Sequence, residues 1–310
     1  MTVTQLFPAD PAAAVQHHIG KIKRATEHLE SLYPLDSVDK VNAAIPHWNE
    51  LYGVIGFTTV DTDVEQRLLK HPDVISLMPS TRRAVLECEA AFEIAFANEI
   101  ADARESSAAR KSLSRFPIHA FYEHAAELEW TAASTVLGRT PRSVAILGAG
   151  ALPETCIWIQ DWARARGERI HVHSVELLPS RLELSQRAMI TLALDCEDTT
   201  YEAGDARTAP RDLRSFDAVY FNATVGSTAE EKEAVLLEVA GRMTSGAVMV
   251  SRGSTSLKSL FYPVSINLKK NKLLRQVLTS IANGNELAQV DEEAHARVDM
   301  PHERRKRKEY

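Results

Sequence analysis

Cysteine is scarce in this chain, with three among 310 residues: Cys88, Cys156 and Cys196. They cannot all pair and none stands in CxxC spacing, so neither a disulfide framework nor a structural zinc site is expected. No apolar run reaches the roughly 18 residues that a membrane span needs. No repeat period and no low-complexity tract is present. The charge excess is small, 36 Lys and Arg against 42 Asp and Glu, and gives no reason to expect a nucleic-acid partner. The opening residues, MTVTQLFPADPAAAVQHH, lack a basic stretch followed by an apolar core. No secretory signal is therefore read, and a cytoplasmic location is expected. What remains is 45% hydrophobic and 25% charged residues, enough for one large core or two ordinary ones.

The pattern changes near Pro141. Before it the reading is helical. Val15, Ile19, Ile22, Leu29 and Leu32 repeat at helical spacing. A second helical stretch follows the Pro-Leu-Asp break at 34–36, and Pro46 is expected to end or kink it. Ser80 is the expected N-cap of a long helix over 81–103, and a further helix is expected over 117–137. After Pro141, strands alternate with helices. Strands are read at 143–147, 170–176, 217–221 and 247–251, and helices at 153–166, 179–195 and 229–243. That alternation predicts an α/β fold, a Rossmann-like parallel sheet with right-handed crossovers. The expected organisation is a helical cap domain over 1–138, a Rossmann-like domain over 141–285 and a basic, flexible tail over 286–310.

The loop Leu147-Gly-Ala-Gly-Ala-Leu-Pro-Glu-Thr155 joins the first strand to the next helix. Gly148 and Gly150 permit a tight turn and close backbone approach, and the helix behind them offers unpaired N–H groups to an anion. Glu176 ends the second strand, where a ribose-binding carboxylate is expected. Asp205, in Glu-Ala-Gly-Asp-Ala-Arg, falls where an adenine-side carboxylate would sit in a methyltransferase-like sheet. Pro153 replaces the third glycine of the dinucleotide fingerprint, so S-adenosylmethionine is favoured over NAD.

These motifs, with three others, resemble the nicotianamine synthase family. Gly148-Ala-Gly-Ala-Leu-Pro-Glu-Thr155 is similar to its G-[SA]-G-x-L-P-x-[ST] loop. Tyr220-Phe-Asn-Ala-Thr-Val-Gly226, followed by Glu230-Glu-Lys232, is similar to its strand and acidic helix. Arg252-Gly-Ser-Thr-Ser-Leu-Lys-Ser-Leu-Phe-Tyr-Pro263 resembles its R-S-x-x-G segment, and Phe116-Pro117, Tyr122 and Glu129-Trp130 its F-P-x-x-x-x-Y segment. The chain departs from the pattern at Ile118-His119, where an aromatic pair is usual, and at Thr255 and Ser256, where histidine and glycine are.

The resemblance implies a class I methyltransferase-type sheet with an N-terminal all-helical part. It also implies transfer of 3-amino-3-carboxypropyl groups between S-adenosylmethionine molecules, with release of 5′-methylthioadenosine, to give the metal chelator nicotianamine. The partners implied are these small molecules, and no metal is required. Rival readings are a single transfer onto another amine, a methyltransferase, or a binding module that has kept the fold. The chemistry needs an amine placed for attack and a group to take its proton. Val85, Leu86, Cys88, Phe92, Phe96 and Ile100 form an apolar arc on the long helix, with Glu89 and Glu93 inside it, one turn apart. They match the family's E-x-x-x-E pair and are the candidate general base, unless one of them pairs with a buried arginine. Tyr122 is expected to orient the amine or to be a core tyrosine. Gly148, Gly150, Leu152, Pro153, Thr155, Glu176, Asp205, Asn222 and Ala223 are the expected donor contacts. Arg252, Lys258 and Tyr262 are the expected substrate contacts, with a structural ion pair as the alternative for Arg252 and a turn role for Tyr262. His17-His18 diverge on a helix and His171/His173 have no third ligand nearby, so metal binding is not expected.

Overall fold

The computed structural model describes residues 10–57, 60–195, 197–222, 225, 228–252 and 256–262, with the backbone alone of 56–57, 256, 278–279 and 289–290. Ala223, Thr255, Pro263, Cys196 and the final run HERRKRKEY lie outside the described residues.

Six α-helices precede the sheet among the described residues: α1 (Pro11–Ser31), α2 (Val38–Tyr52), α3 (Thr62–Lys70), α4 (Pro72–Ala101), α5 (Ser106–Leu113) and α6 (His119–Leu137). Asp10 caps α1, accepting the N–H groups of Ala12 and Ala13 at 3.2 Å, with Pro11 at the first position where its missing N–H costs nothing. Pro46 does not end α2, which runs on to Tyr52, and α4 begins at Pro72, capped by His71, and runs through Pro79 instead of starting after Ser80 as expected. The cause is tertiary. Trp48, Leu51 and Tyr52 beyond Pro46 are buried, as are Val74 and Thr81 on either side of Pro79. Burying those side chains offsets the roughly 3 kcal/mol that an interior proline costs a helix.

The sheet contains β1 (Ser143–Leu147), β2 (His171–Glu176), β3 (Thr199–Ala203), β4 (Ala218–Phe221) and β5 (Val248–Ser251). Its order is β3-β2-β1-β4-β5, all parallel, with Leu147 opposite Val175 and Phe221. Helices α7 (Glu154–Arg166), α8 (Pro179–Thr191) and α9 (Ala229–Arg242) make the crossovers. The Rossmann-like sheet is as expected, with one strand added. β3, Thr-Thr-Tyr-Glu-Ala, is an edge strand with one half-open face, so it lacks the apolar run that marks a buried strand. α8 also stops at Thr191, short of the expected 195. β6 (Leu278–Thr279) pairs antiparallel with β7 (Gln289–Val290), and β7 lies inside the expected tail.

Side chains alternate across the sheet. Val144, Ile146, Val172 and Tyr220 face the helices, in one continuous core with Ile22, Trp48, Phe92, Phe96 and Phe261. Ala145, Leu147, Val175, Val219 and Phe221 face the other way, against Val235, Leu236 and Val239 of α9. The helices before Leu137 therefore share their core with one face of the sheet. Leu86 departs from expectation: it is 42% exposed and does not belong to the apolar arc. It lies about 100° round the helix from Val85 and points past the core.

Candidate active site

The C-terminal ends of β1 and β2 meet α4 at the glycine loop. Gly148 and Gly150 both have positive φ, 78° and 79°, the left-handed region that favours glycine. Gly150 is held at its N–H by Glu176 Oε2 at 3.0 Å, and Glu176 Oε1 accepts the Leu178 N–H at 3.3 Å. Asn222, just after β4, donates to the Gly148 carbonyl at 2.6 Å. Four of the expected donor residues thus bind one another in two pairs, Gly150 with Glu176 and Gly148 with Asn222, and fix the loop. Leu152, Pro153 and Thr155 are buried beside it. Asp205 stands apart. It follows β3 in a turn, accepts the N–H and guanidinium of Arg207, and is held below the usual carboxylate range by that pair.

Glu89 and Glu93 sit on the same side of α4, facing the loop and the segment after β5. Glu93 Oε2 accepts the Ala151 N–H at 3.3 Å and the Arg181 guanidinium at 2.5 Å. Glu89 Oε1 accepts from the Tyr262 hydroxyl at 2.5 Å. Burial pushes Glu89 up to about 8, against the Tyr262 hydrogen bond and with help from Glu93. Burial likewise pushes Glu93 up to about 7, against the pull of Arg181. Both expectations for the pair, an inward aim and a raised proton affinity, hold. So does the reading that one of them pairs with an arginine.

The sequence reading missed Arg181. Its partner is 88 positions away in the chain, so no local spacing marks it. A signal existed: Arg181 is in the first turn of α8, where a cation opposes the helix dipole and needs a reason to be there.

A second cluster lies behind the loop. Arg252 donates from Nε and Nη2 to Glu129 at 2.6 and 2.9 Å, and from Nη2 to the Thr155 hydroxyl at 2.9 Å. Its guanidinium lies 5.0 Å from the centre of the Tyr122 ring. The arginine is therefore engaged as an ion pair, the alternative left open for it. Burial works against its charge but Glu129 more than offsets this, so it is held firmly protonated. Tyr122 is half-buried under it, and desolvation pushes its phenol well up. Lys232 of α9 donates to the Arg252 carbonyl at 3.0 Å, and burial, with Arg252 nearby, lowers it to about 8. Lys258 lies 5.1 Å over the Phe121 ring, lowered by burial. His119, in the place of the usual aromatic pair, binds Glu154 at 3.0 Å and stacks on Trp158. Glu129, Lys232 and the His119–Glu154 pair were not read as site residues, because each is tied to a residue remote in sequence.

Among the described residues no group of three or more His, Cys, Asp or Glu is arranged to hold a metal ion. His171 and His173 bond Thr200, and His173 also bonds Glu202. Among the same residues no helix is long and apolar enough to cross a membrane.

Residues 9–286 match the family model described as nicotianamine synthase protein. Nicotianamine synthase 3 of Arabidopsis thaliana is 28% identical over 153 residues, 49% of this chain and 47% of that protein. Nicotianamine synthase 1 of the same plant is 22% identical over 244 residues, 77% of this chain and 75% of that protein. The chain thus spans about half the length of the first relative and three quarters of the second. Among solved structures, MtNAS in complex with MTA and tNA superposes with a TM-score of 0.66 at 19% identity, covering 86% of this chain and 93% of that one. A glutamate-to-glutamine variant of MtNAS in complex with S-adenosylmethionine gives 0.63 at 20% identity, covering 82% and 89%. The fold is thus the one MtNAS has, a parallel sheet of the methyltransferase type under N-terminal helices. With residues 9–286 of its 310 matching the family model, the chain belongs to the nicotianamine synthase family.

Proposed function

We propose that this chain is a nicotianamine synthase, joining 3-amino-3-carboxypropyl groups taken from S-adenosylmethionine and releasing 5′-methylthioadenosine. The observation that carries the reading is the Glu89–Glu93 pair: one buried and one half-buried carboxyl, brought near neutral proton affinity, set against the glycine loop. The amine nitrogen of one substrate attacks Cγ of the donor's methionine part. The Cγ–S bond breaks and its electrons go to sulfur, so the sulfonium leaves as a neutral thioether. The new C–N bond leaves an ammonium, whose proton passes to the carboxylate pair. A base poised near neutrality is suited to that step. Glu89 and Glu93 interact, so they titrate as a pair.

In this reading Gly148, Gly150, Leu152, Pro153 and Thr155 cradle the donor's methionine end, beside Asn222. Glu176 turns to the ribose, and Asp205 to the adenine once Arg207 lets go. Lys258 is the cation for a substrate carboxylate, Arg252 braces Thr155 and Tyr122 from behind, and Tyr262 acts on Glu89. Residues up to about 138 serve as a cap over a donor-binding part at 141–285. Relatives named nicotianamine synthase, and MtNAS with MTA and S-adenosylmethionine, support the donor assignment.

A single transfer onto a different amine is the second reading. His119, tied to Glu154 in place of the aromatic pair, favours it because it changes the polarity behind Tyr122. Incubation with S-adenosylmethionine alone, followed by mass spectrometry, separates the two. Methylthioadenosine with a product of joined aminocarboxypropyl groups supports the first reading. Turnover only with an added amine replaces it with the second, and S-adenosylhomocysteine as co-product overturns both.

A further inference from the structure

Arg82 stands seven residues before Glu89 on α4. Seven residues make two helical turns less about 20°, so both side chains leave the same face of the helix, about 10 Å apart along its axis. That face meets the segment after β5, where a 3₁₀ turn spans Ser256–Leu260. Arg82 is half-buried and donates from Nη2 to the Ser259 carbonyl at 2.9 Å and from Nε to the Leu260 carbonyl at 3.3 Å. Two residues further on, the Tyr262 hydroxyl donates to Glu89 Oε1 at 2.5 Å. One face of α4 thus holds this segment twice, by its backbone through Arg82 and by its phenol through Glu89. The turn explains why an arginine is there. The Phe261 and Tyr262 N–H groups both go to the Lys258 carbonyl, at 3.0 and 3.2 Å. The Ser259 and Leu260 carbonyls are the last two of the turn, where partners within a helix run out. Leu260 is 2% exposed, and a buried carbonyl needs a donor. A planar guanidinium presents two N–H groups side by side to two successive carbonyls, which an ammonium does not.

We propose that Arg82 is a positioning residue of the carboxylate pair, holding the end of this turn at the level of α4 where the Tyr262 hydroxyl meets Glu89 Oε1. The inference rests on the reading that the pair takes the amine's proton. Donation to the charged form of a carboxyl favours that form, so the Tyr262 hydrogen bond opposes the burial that keeps Glu89 protonated. With the two carbonyls released, the turn can shift and the phenol can leave Glu89. The other titratable groups about Glu89 are Glu93 and Cys88 of its own helix, Tyr52 of α2 and Tyr122 of α6, and Lys258 stands on the turn itself. All of them stay in place when Arg82 alone is changed.

The test titrates Glu89 directly, through the infrared carbonyl stretch of its protonated carboxyl, assigned by its loss in Glu89→Gln. It is run on the full chain, in parallel with the pH profile of methylthioadenosine release. Tyr262→Phe is the yardstick and is expected to move the titration of the band to higher pH by about one unit or more. Arg82→Gln is expected to move it the same way by ~0.5 unit or more, and Arg82→Lys, which reaches one carbonyl at most, by less. In the Tyr262→Phe background Arg82→Gln adds nothing, because Arg82 acts only through Tyr262. Arg83 is the control: it is next in the chain, but it is 62% exposed and pairs with Glu30 at 2.7 Å, so Arg83→Gln leaves the band in place. Near-ultraviolet circular dichroism checks that each variant is folded. Should Arg82→Gln not fold, Arg82→Lys carries the same comparison in both backgrounds. A band left at its wild-type position by the Arg82 variant, or shifted equally in the Tyr262→Phe background, overturns the proposal. The infrared band reads Glu89 whether or not methylthioadenosine is released. Loss of the functional reading and loss of the Arg82 link are therefore told apart.

Discussion

A Cβ at position 150 would stand 2.7 Å from Glu93 Oε2. Gly150 is therefore glycine for two separate reasons, its positive φ and the carboxylate pressed against it. The contact joins the helical part of the chain to the sheet at the point where both supply the candidate chemistry. Gly150→Ala is expected to lower methylthioadenosine release by at least tenfold, because Glu93 must move. The strained backbone adds about 1–2 kcal/mol of destabilisation, read by urea unfolding. Gly138, also at positive φ but with open space at its Cβ, is the control. Gly138→Ala is expected to lose stability and keep activity.

Glu89 and Glu93 carry a stability signature with a definite sign. Their folded proton affinities, about 8 and about 7, are above the unfolded value of 4.5. Groups raised in this way support the fold below the unfolded value and lose that support as pH rises through the folded one. Unfolding free energy is expected to fall between about pH 4.5 and 8. Glu89→Gln removes part of the slope and is expected to stabilise the protein at pH 8 by about 1–3 kcal/mol, while lowering turnover by ~10²-fold or more. Glu93→Gln is expected to lose the same activity without the gain, because Arg181 keeps its charge and loses its partner. Urea unfolding across pH reads both, and a slope unchanged in Glu89→Gln would place the titration elsewhere.

Much of this was legible in the sequence, and the reason is locality. β1, the glycine loop and Glu176 lie within one strand-loop-helix-strand run, where period, turn chemistry and helix start reinforce one another. Glu89 and Glu93 could be aimed inward from helical spacing alone. Ser80 misled as a cap because α4, which begins at Pro72, is held through Pro79 by core contacts that no local window contains. β3 was missed because an edge strand need not be apolar. Arg181 and Glu129 were missed because each acts on a partner on another element, and only the folded chain brings them together. Asp205 shows the reverse. Its position was legible, but the arginine two residues on that occupies it was not weighed.

Arg252 and Glu129 test whether an ion pair or a substrate contact is at work. Both are largely buried, at side-chain exposures of 16% and 15%, and they pair through two hydrogen bonds. Glu129→Gln leaves a buried guanidinium uncompensated and is expected to cost about 3–5 kcal/mol. Arg252→Lys cannot reproduce the fork and is expected to cost somewhat less. The double variant is expected to lose less than the sum, which denaturation of all four proteins measures. A substrate clamp predicts another pattern: Arg252→Lys would raise KM with stability unchanged.

Arg181 offers the sharpest separation between tuning a base and touching a substrate. Its guanidinium donates to Glu93 Oε2 and is the main force opposing the burial of that carboxyl. Arg181→Met removes the opposing charge and fills similar volume, so Glu93 is expected to bind its proton more tightly, by about one unit or more. The acid limb of methylthioadenosine release then moves to higher pH. Turnover at pH 7 falls about tenfold, and at pH 9 it recovers toward wild type. Arg181→Lys, which restores a charge without the planar fork, is expected to fall between the two. If Arg181 instead binds a substrate carboxylate, raising the pH cannot restore what Met lacks. Activity would then be low at every pH with KM raised. The profile of Arg181→Met against pH therefore decides whether this arginine acts on the reaction through Glu93 or in its own right.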